Sequence, residues 1–593
     1  MRKLTVLLFI LALFGTTANV AAQYSANPLS SIYHWFDIWE GRGYIRDMPV
    51  FRPYPENVII PALKRVQAVG DAESRAKASR FLEQLDESFE TQFHVMQESL
   101  INNGVVSLKG GVGITLHGRI SDTITASGSV MGVVLDDEEQ NLYPEGQRTD
   151  WDILEDWSTV PFFGRDLAAL NQANSSFAWG TESLYLHAGI MRRSFGPIHG
   201  DGVVLSSSAR QAPGVVSSWR RGNFRWSAGL FSMTATQPFA EPTPFNEPNT
   251  LLALDDDGDR VGLLYRPEEY PGKYVFIQDF RYSPFSWLTL AFFESATWGP
   301  RFEIAYLLPV KWAFHAQGSV SYADSSKMGL SAEFRPRPDL HIPLVLYVDD
   351  ASFNNLVRFT FDTKLKLAIH TGIFWRPEHR LIRNVSIDYL ALLPYMYSHD
   401  GEGGFFATEP IYTNYTHKGQ SLGPGMEPNS DRTTLSGTFR LLPALDATFT
   451  GRLMRHGNAS ADVDGIGAFN HDGTIMDDGR FYRFRVEDDE VFVRRGGLSF
   501  QDELRFLNQE HIQKTWQVGL DLAYRLPVHE SRRIGFSIEA GYLFEYRQGP
   551  LLFQPTGDQA IFRDGDAPVL TYRSLPGDDE RNHYGNLRFR VMY

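Results

Sequence analysis

Asn586-Leu587-Arg588-Phe589-Arg590-Val591-Met592-Tyr593 closes the sequence with large apolar side chains at 587, 589, 591 and 593 and mostly polar ones between them. Side chains of a β-strand alternate between two faces, so this segment offers one greasy face and one wet face, as a strand in the wall of a membrane barrel must. The terminal aromatic is of the kind that the barrel-assembly machinery reads in outer-membrane proteins. The same alternation suits the edge strand of a soluble sheet, so the remaining chain has to decide between the two.

At the other end, Met1-Arg2-Lys3 precedes an apolar run from Leu4 to Phe14 and the small-residue step Val20-Ala21-Ala22. This pattern predicts a cleaved secretory signal peptide over residues 1–22, and hence an exported protein. No later apolar run approaches the roughly 20 residues that a membrane-spanning helix needs. The chain has no cysteine, which excludes a lipobox anchor, a disulfide framework, a thiolate nucleophile and a cysteine-ligated metal. Its formal charge is -15, so a nucleic-acid partner gains no electrostatic attraction. Aromatics at 13% and 51 glycines suit a barrel with interfacial girdles. No cofactor and no metal are expected.

Residues 23–100 form the one stretch with helical periodicity. Pro61 stands near the start of a short helix running to Val69, and Gly70-Asp71 leads into a second. There Ala78, Phe81, Leu82, Leu85, Phe89 and Phe93 recur at three- and four-residue steps, which predicts a two-helix hairpin on the periplasmic side, packed under or into a barrel mouth. A freestanding helical subdomain is the alternative.

Residues 101–593 follow strand periodicity. Val106, Leu108, Val112, Ile114 and Leu116 alternate with Ser107, Lys109, Gly111, Gly113, Thr115 and His117; Trp516, Val518, Leu520, Leu522 and Tyr524 form a second such set, and Ile534 to Tyr546 a third. Glu539 on the inner face of the third predicts a wet lumen and opposes a dry sandwich core. Short Pro-bearing turns occur at Ser283-Pro284, Arg335 to Asp339, Leu442-Pro443 and Leu526-Pro527. Long polar stretches run from Asp136 to Ala178, Gln237 to Asp259, Ser398 to Asp431, His456 to Gly479 and Arg547 to Ala567. Short turns on one rim and long loops on the other predict an all-β fold: a transmembrane antiparallel β-barrel of about 18 strands, with both termini in the periplasm and a small helical element before the first strand.

Among groups able to do chemistry, Phe195 to Gly202 reads as a Gly/Pro-rich turn, either a tight bend folded toward the lumen or a platform presenting Arg192, Arg193, His199 and Asp201 to a glycan. His199, Asp201 and Ser206 to Ser208 lack the setting of a nucleophile elbow, so no catalytic role is expected. Asp255-Asp256-Asp257-Gly258-Asp259 has the acidic content of a calcium loop without the rest of an EF-hand, and reads as a solvated hairpin tip. Trp151, Trp157, Phe162, Phe163, Trp179, Tyr412 and Tyr415 supply ring faces for sugar stacking in the long loops, or girdle and packing residues.

Three blocks resemble the Wzi family of outer-membrane barrels associated with surface attachment of capsular polysaccharide. They are His34-Trp35-Phe36-Asp37-Ile38-Trp39-Glu40-Gly41-Arg42-Gly43 with Arg52-Pro53-Tyr54; Gly189 to Val216, containing Arg193-Ser194-Phe195-Gly196-Pro197 and Gly200 to Ala209; and Asn414-Tyr415-Thr416-His417-Lys418-Gly419 running to Asp431. Phe280 to Leu288 and Tyr347-Val348-Asp349-Asp350 are similar as well. Ile198-His199 departs from the family's Gly-Pro-Gly step, and Ser207-Ser208 stands where the family has asparagines. The resemblance implies a non-catalytic barrel that binds or organises surface or capsular polysaccharide, with Tyr415, His417 and Lys418 joining Arg192, Arg193, His199 and Asp201 as ligand-binding candidates. Its surroundings would be outer-membrane lipid and lipopolysaccharide, and its expected state is a monomer. A porin-like diffusion channel is the alternative, and a lipid-acting enzyme ranks third.

Overall fold

The computed structural model describes residues 28, 31–85, 89–135, 144, 158–162, 165–235, 252–254, 260–263, 272–307, 324–350, 366–394, 396–397, 412–417, 420–457, 484–487, 490–493, 506–508, 512–526, 535–555, 562–564, 567–569 and 572–592. Eighteen antiparallel strands close into one barrel. In chain order they are β1 (Phe89–Asn102), β2 (Val105–Ser121), β3 (Ile124–Leu135), β4 (Arg165–Gly180), β5 (Leu184–Met191), β6 (Ala212–Arg221), β7 (Phe224–Met233), β8 (Lys273–Phe285) and β9 (Leu288–Trp298), followed by β10 (Ser325–Arg337), β11 (Leu340–Asp350), β12 (Lys366–Trp375), β13 (Ile382–Leu392), β14 (Ser430–Leu442), β15 (Leu445–Gly457), β16 (Ile512–Leu526), β17 (Gly535–Gln548) and β18 (Glu580–Met592). Each strand pairs with its neighbours in sequence, and β18 returns to β1 with Val95 opposite Val591 and Leu100 opposite Asn586.

Closure satisfies every strand edge, which a bilayer interior demands because it offers no water to backbone N–H and C=O groups. The seam carries charge inside. Glu98 on β1 pairs with Arg588 on β18 at 2.6 Å, and Arg588 also reaches Glu539 on β17 at 3.4 Å.

The burial pattern is that of a soluble protein turned inside out. On β2 the apolar Val106, Val112 and Leu116 are exposed, while Ser107, Lys109, Thr115 and His117 are buried. On β16 Leu520 is 47% exposed and Gln517 only 1%. Apolar side chains outward and polar ones inward identify a membrane barrel of the outer-membrane type, so the soluble edge-strand alternative falls. The short connections, such as 222–223, 286–287, 338–339 and 443–444, share one rim with the start of β1 and the end of β18. In outer-membrane barrels that rim is periplasmic.

Three expectations need correction. The helical segment contains three helices, α1 (Ser31–Gly41), α2 (Glu56–Val69) and α3 (Ala72–Gln84), and α2 begins a turn before Pro61. The barrel begins at Phe89 and not at 101. Phe89 and Phe93, assigned above to a helix face, point outward from β1 at 68% and 42% exposure. A spacing of four puts two residues on one face of a helix and also on one face of a strand, so these two phenylalanines fit both periods. Finally, the stretch from Asp136 to Ala178 is not all loop. Arg165–Gly180 is a barrel strand, and Ser158–Phe162 pairs with its first residues. Its run of Ala, Asn and Ser lacks the apolar alternation that marks the other strands, and Trp179 sits on its lipid side.

Leu520 lies near the middle of β16, facing lipid. Leu520→Arg is expected to cost about 2–4 kcal/mol of folding free energy, read by reversible urea unfolding in lipid vesicles, whereas Thr450→Arg on the inner face should cost far less.

Candidate functional site

Three pieces of chain meet inside the barrel. α1 to α3 enter from the short-turn rim, and Arg192 to Gln211 folds in between β5 and β6 from the opposite rim. Phe51–Arg52 pairs antiparallel with Ser194–Phe195, joining the two, and Gly196 N donates to Val50 O at 3.2 Å. The third piece comprises 396–397, 412–417 and 420–426: Tyr397 donates its hydroxyl to Val203 O at 2.6 Å, and Ser206 N donates to Leu422 O at 2.8 Å. Phe51, Phe195, Phe231 and Phe293 stack edge to face or tilted at 5.1–6.1 Å and belong to one buried apolar cluster that includes Trp39, Leu63, Val204 and Tyr415. Gly196 and Gly200 adopt φ of +121° and +118°, which lets the fold-in reverse direction inside so confined a space.

The helical segment is clamped to the wall at several points of the short-turn rim. Arg65 pairs with Glu182 at 2.7 Å, Glu73 with Arg383 at 2.7 Å and with Arg440 at 2.6 Å, and Glu56 with His117 at 2.9 Å. Ser283 donates to Asp47 at 2.7 Å. The alternative of a freestanding helical subdomain is thereby excluded.

Between plug and wall lies a small polar cavity. Asp37, Glu40 and Tyr54 contribute from the helical segment, His199 from the fold-in, and Arg281, Glu333, Arg335, His341 and Arg376 from the wall. Its charges are cross-linked. Arg52 holds Asp37 through both terminal guanidinium nitrogens, Glu333 accepts from Arg281 at 2.9 Å and Arg335 at 2.6 Å, and His341 Nε2 lies 3.0 Å from the same carboxylate. Arg376 packs over the Phe374 ring at 5.3 Å. Burial alone would raise the Asp37 carboxyl, yet the Arg52 and Arg376 guanidiniums override it and hold the group well below the usual carboxylate range. Burial moves Glu40 the other way, upward, with Arg335 opposing and Glu333 assisting. Burial also drives His199 far below its ordinary value, which favours the neutral imidazole, and its Nδ1 lies within hydrogen-bond distance of Ser194 Oγ at 3.0 Å. Guanidinium donors, carboxylate acceptors and aromatic faces stand side by side here. Such a lining can hold polar, hydroxyl-bearing groups, and it presents no activated nucleophile.

The residues singled out from sequence are scattered through this frame. His199 lines the cavity. Arg193 is buried, donates to His187 O and Gly214 O at 3.3 Å, and lies 5.9 Å over Phe231; burial lowers its guanidinium to about 10. Arg192 sits beside it at the end of β5. Asp201 is tied to Arg432 on β14 at 2.7 Å. Tyr415 is fully buried and stacks on Tyr397 at 5.8 Å. His417 receives Thr234 N at 3.0 Å on Nδ1 and donates from Nε2 to Gln211 O at 3.0 Å. Lys418 lies outside the described residues, as do Trp151, Trp157 and Asp255 to Asp259. The structure thus brings Arg193, Asp201, Tyr415 and His417 into the internal frame. Ser206 and Ser207 both donate to Gly200 O, at 3.0 and 2.9 Å, and His199 engages Ser194, so these side chains do not assemble a triad. Among the described residues no cluster of three His, Asp or Glu is placed to hold a metal. Sequence reasoning missed Asp37, Glu40, Glu333 and Arg376. For Glu333 on β10 the available signal was a charged residue at an inward strand position, the rule by which Glu539 was read; Asp37 and Glu40 lie on α1 and Arg376 just beyond β12, where that rule gives nothing.

No protein-family model matches the sequence, and no curated protein matches it. Among solved structures the chain is similar to Wzi of Escherichia coli, described as an outer membrane protein involved in group 1 capsule assembly and a carbohydrate-binding β-barrel. The two are 11% identical, the match covers 96% of this chain and 99% of that one, and the TM-score is 0.48. It is also similar to OccAB2 of Acinetobacter baumannii, at 8% identity, 85% and 98% coverage and a TM-score of 0.40, and to the outer membrane protein OprD of Pseudomonas aeruginosa, at 9%, 86% and 94%, and 0.38. Likenesses this distant carry no assignment of ligand.

Asp37 and Arg52 generate a test of the plug. The folded carboxyl lies below its unfolded value, so its stabilisation is complete above about pH 4 and is lost as pH falls from there toward the folded value. Protection of α1 amides, measured as exchange relative to the intrinsic rate at each pH, should therefore be flat from neutral pH to about pH 5 and fall below about pH 4. Asp37→Asn strands Arg52 and should raise exchange at neutral pH by an amount equivalent to about 3 kcal/mol, the low end for breaking a buried pair because Asp37 is partly exposed.

Proposed function

We propose that this chain is a non-catalytic, monomeric outer-membrane barrel that binds or organises surface or capsular polysaccharide. The observation that carries this reading is the lumen. Helices from one rim and loops from the other meet and are cross-linked inside, so the barrel serves as a rigid mount for its outer loops and not as a wide pore. Arg193, Asp201, Tyr415 and His417 act in that role as the internal ties of the mount, and Arg192 and His199 are half-buried beside them. Outer-membrane lipid and lipopolysaccharide surround the apolar belt, and the barrel-assembly machinery reads the β18 end. No cofactor takes part.

A porin-like channel is a second reading, favoured by one sector of the wall. Asp521 points inward from β16 opposite Gly541 and is exposed, and its neighbours Thr448, Glu539 and Arg588 are polar.

Purified protein folded in detergent is expected to bind polysaccharide from its own cells saturably, with binding lost on heat unfolding or on trimming the long connections. In planar bilayers the intact barrel should show at most small conductance, and deletion of residues 31–85 should raise it at least tenfold. Large conductance in the intact protein together with no polymer binding would favour the porin.

A further inference from the structure

We propose that the short-turn rim carries a second, separate binding site, for the carboxylate or phosphate group of an anionic ligand, between α3 and the ends of β13 to β16. Three cationic heads surround one indole there. Lys77 Nζ lies 5.4 Å from the centre of the Trp35 ring, the Arg383 guanidinium 5.5 Å and that of Arg440 5.8 Å. Arg80 is exposed on the same helix, and Arg525 stands at the end of β16 with half its side chain in solvent.

Among the described residues two carboxylates pair with cations of this group. Glu73 binds Arg383 and Arg440, and Asp446 binds Arg440 at 3.2 Å and Arg525 at 3.6 Å. Lys77 forms no ion pair with a described carboxylate; its head rests on the rings of Trp35 and Phe81 instead. Burial, then the repulsion of Arg525, Arg80 and Arg440, brings its ammonium down to about 8. The excess of positive charge among the described residues at this point, in a chain whose formal charge is -15, attracts anions by a short-range field that the rest of the surface opposes. The aromatic floor keeps the cationic heads partly dehydrated, which strengthens each contact an oxyanion makes with them. The site opens toward the periplasm, so it goes beyond the cell-surface reading above and would survive that reading's failure.

The test is calorimetric titration of the full detergent-folded chain with three probes: a galacturonate hexamer, inorganic phosphate and neutral maltohexaose. Saturable 1:1 binding is expected for one or both anions, and which of them binds more tightly distinguishes a sugar carboxylate from a phosphate. Lys77→Gln with Arg525→Gln should weaken it at least tenfold. Glu73→Gln, which releases Arg383 and Arg440 from their internal anion, should tighten it at least threefold, so a gain is available even if the loss variant folds poorly. No binding of either anion, equal binding of maltohexaose, or affinities unchanged in both variants would overturn the proposal.

Discussion

The pairing of Phe51–Arg52 with Ser194–Phe195 is the joint on which the interior depends. One partner comes from the helical segment below and the other from the fold-in above, so these few backbone hydrogen bonds tie the two rims together through the lumen. Around them Phe51, Phe195, Phe231 and Phe293 exclude water, and Arg52 fixes Asp37 on α1. Without the joint, helices and fold-in would be separate appendages of an open barrel.

The barrel itself is held by a different kind of physics. Outside, apolar side chains meet lipid and contribute by not being polar; inside, the cost of burying charge is met by pairing. Glu333 is the clearest case, with two arginines and a histidine around one carboxylate. Removing any one partner would leave the others buried with less compensation, which is why such networks favour one arrangement of plug against wall over near alternatives. The half of the wall from β5 to β13 supplies the apolar residues that receive the plug, Val216, Val275, Ile277, Val345 and Leu390 among them. The strands around the β1–β18 seam remain polar within.

Much of this was legible in the sequence. The alternation of Trp516 to Tyr524 and of Leu587 to Tyr593 predicted membrane strands, and the division of connections into short and long predicted two unlike rims. Ala78, Phe81 and Leu85 were correctly read as the buried face of a helix, and the Gly/Pro-rich turn was correctly allowed a lumen-facing fold-in. The start of the barrel was not legible, because Phe89 and Phe93 satisfy two periods at once. A further local signal there was Asn103-Gly104, whose φ of 47° and 90° form the tight turn between β1 and β2.

The sequence by itself determined the class of fold and the medium around it, because the alternation of apolar and polar residues is local and each strand reports it alone. Only the tertiary structure decided what the lumen contains and what the singled-out residues do. Arg193, Asp201, Tyr415 and His417 look alike as ligand candidates in a linear reading. Their partners, Gly214, Arg432, Tyr397 and Gln211, come from other parts of the chain, and it is strand pairing and the docking of the inner segments that bring them within bonding distance. For the same reason the cavity of Asp37, Glu333 and Arg376 and the cationic cluster around Trp35 exist only once α1 and α3 have docked against β10 to β16.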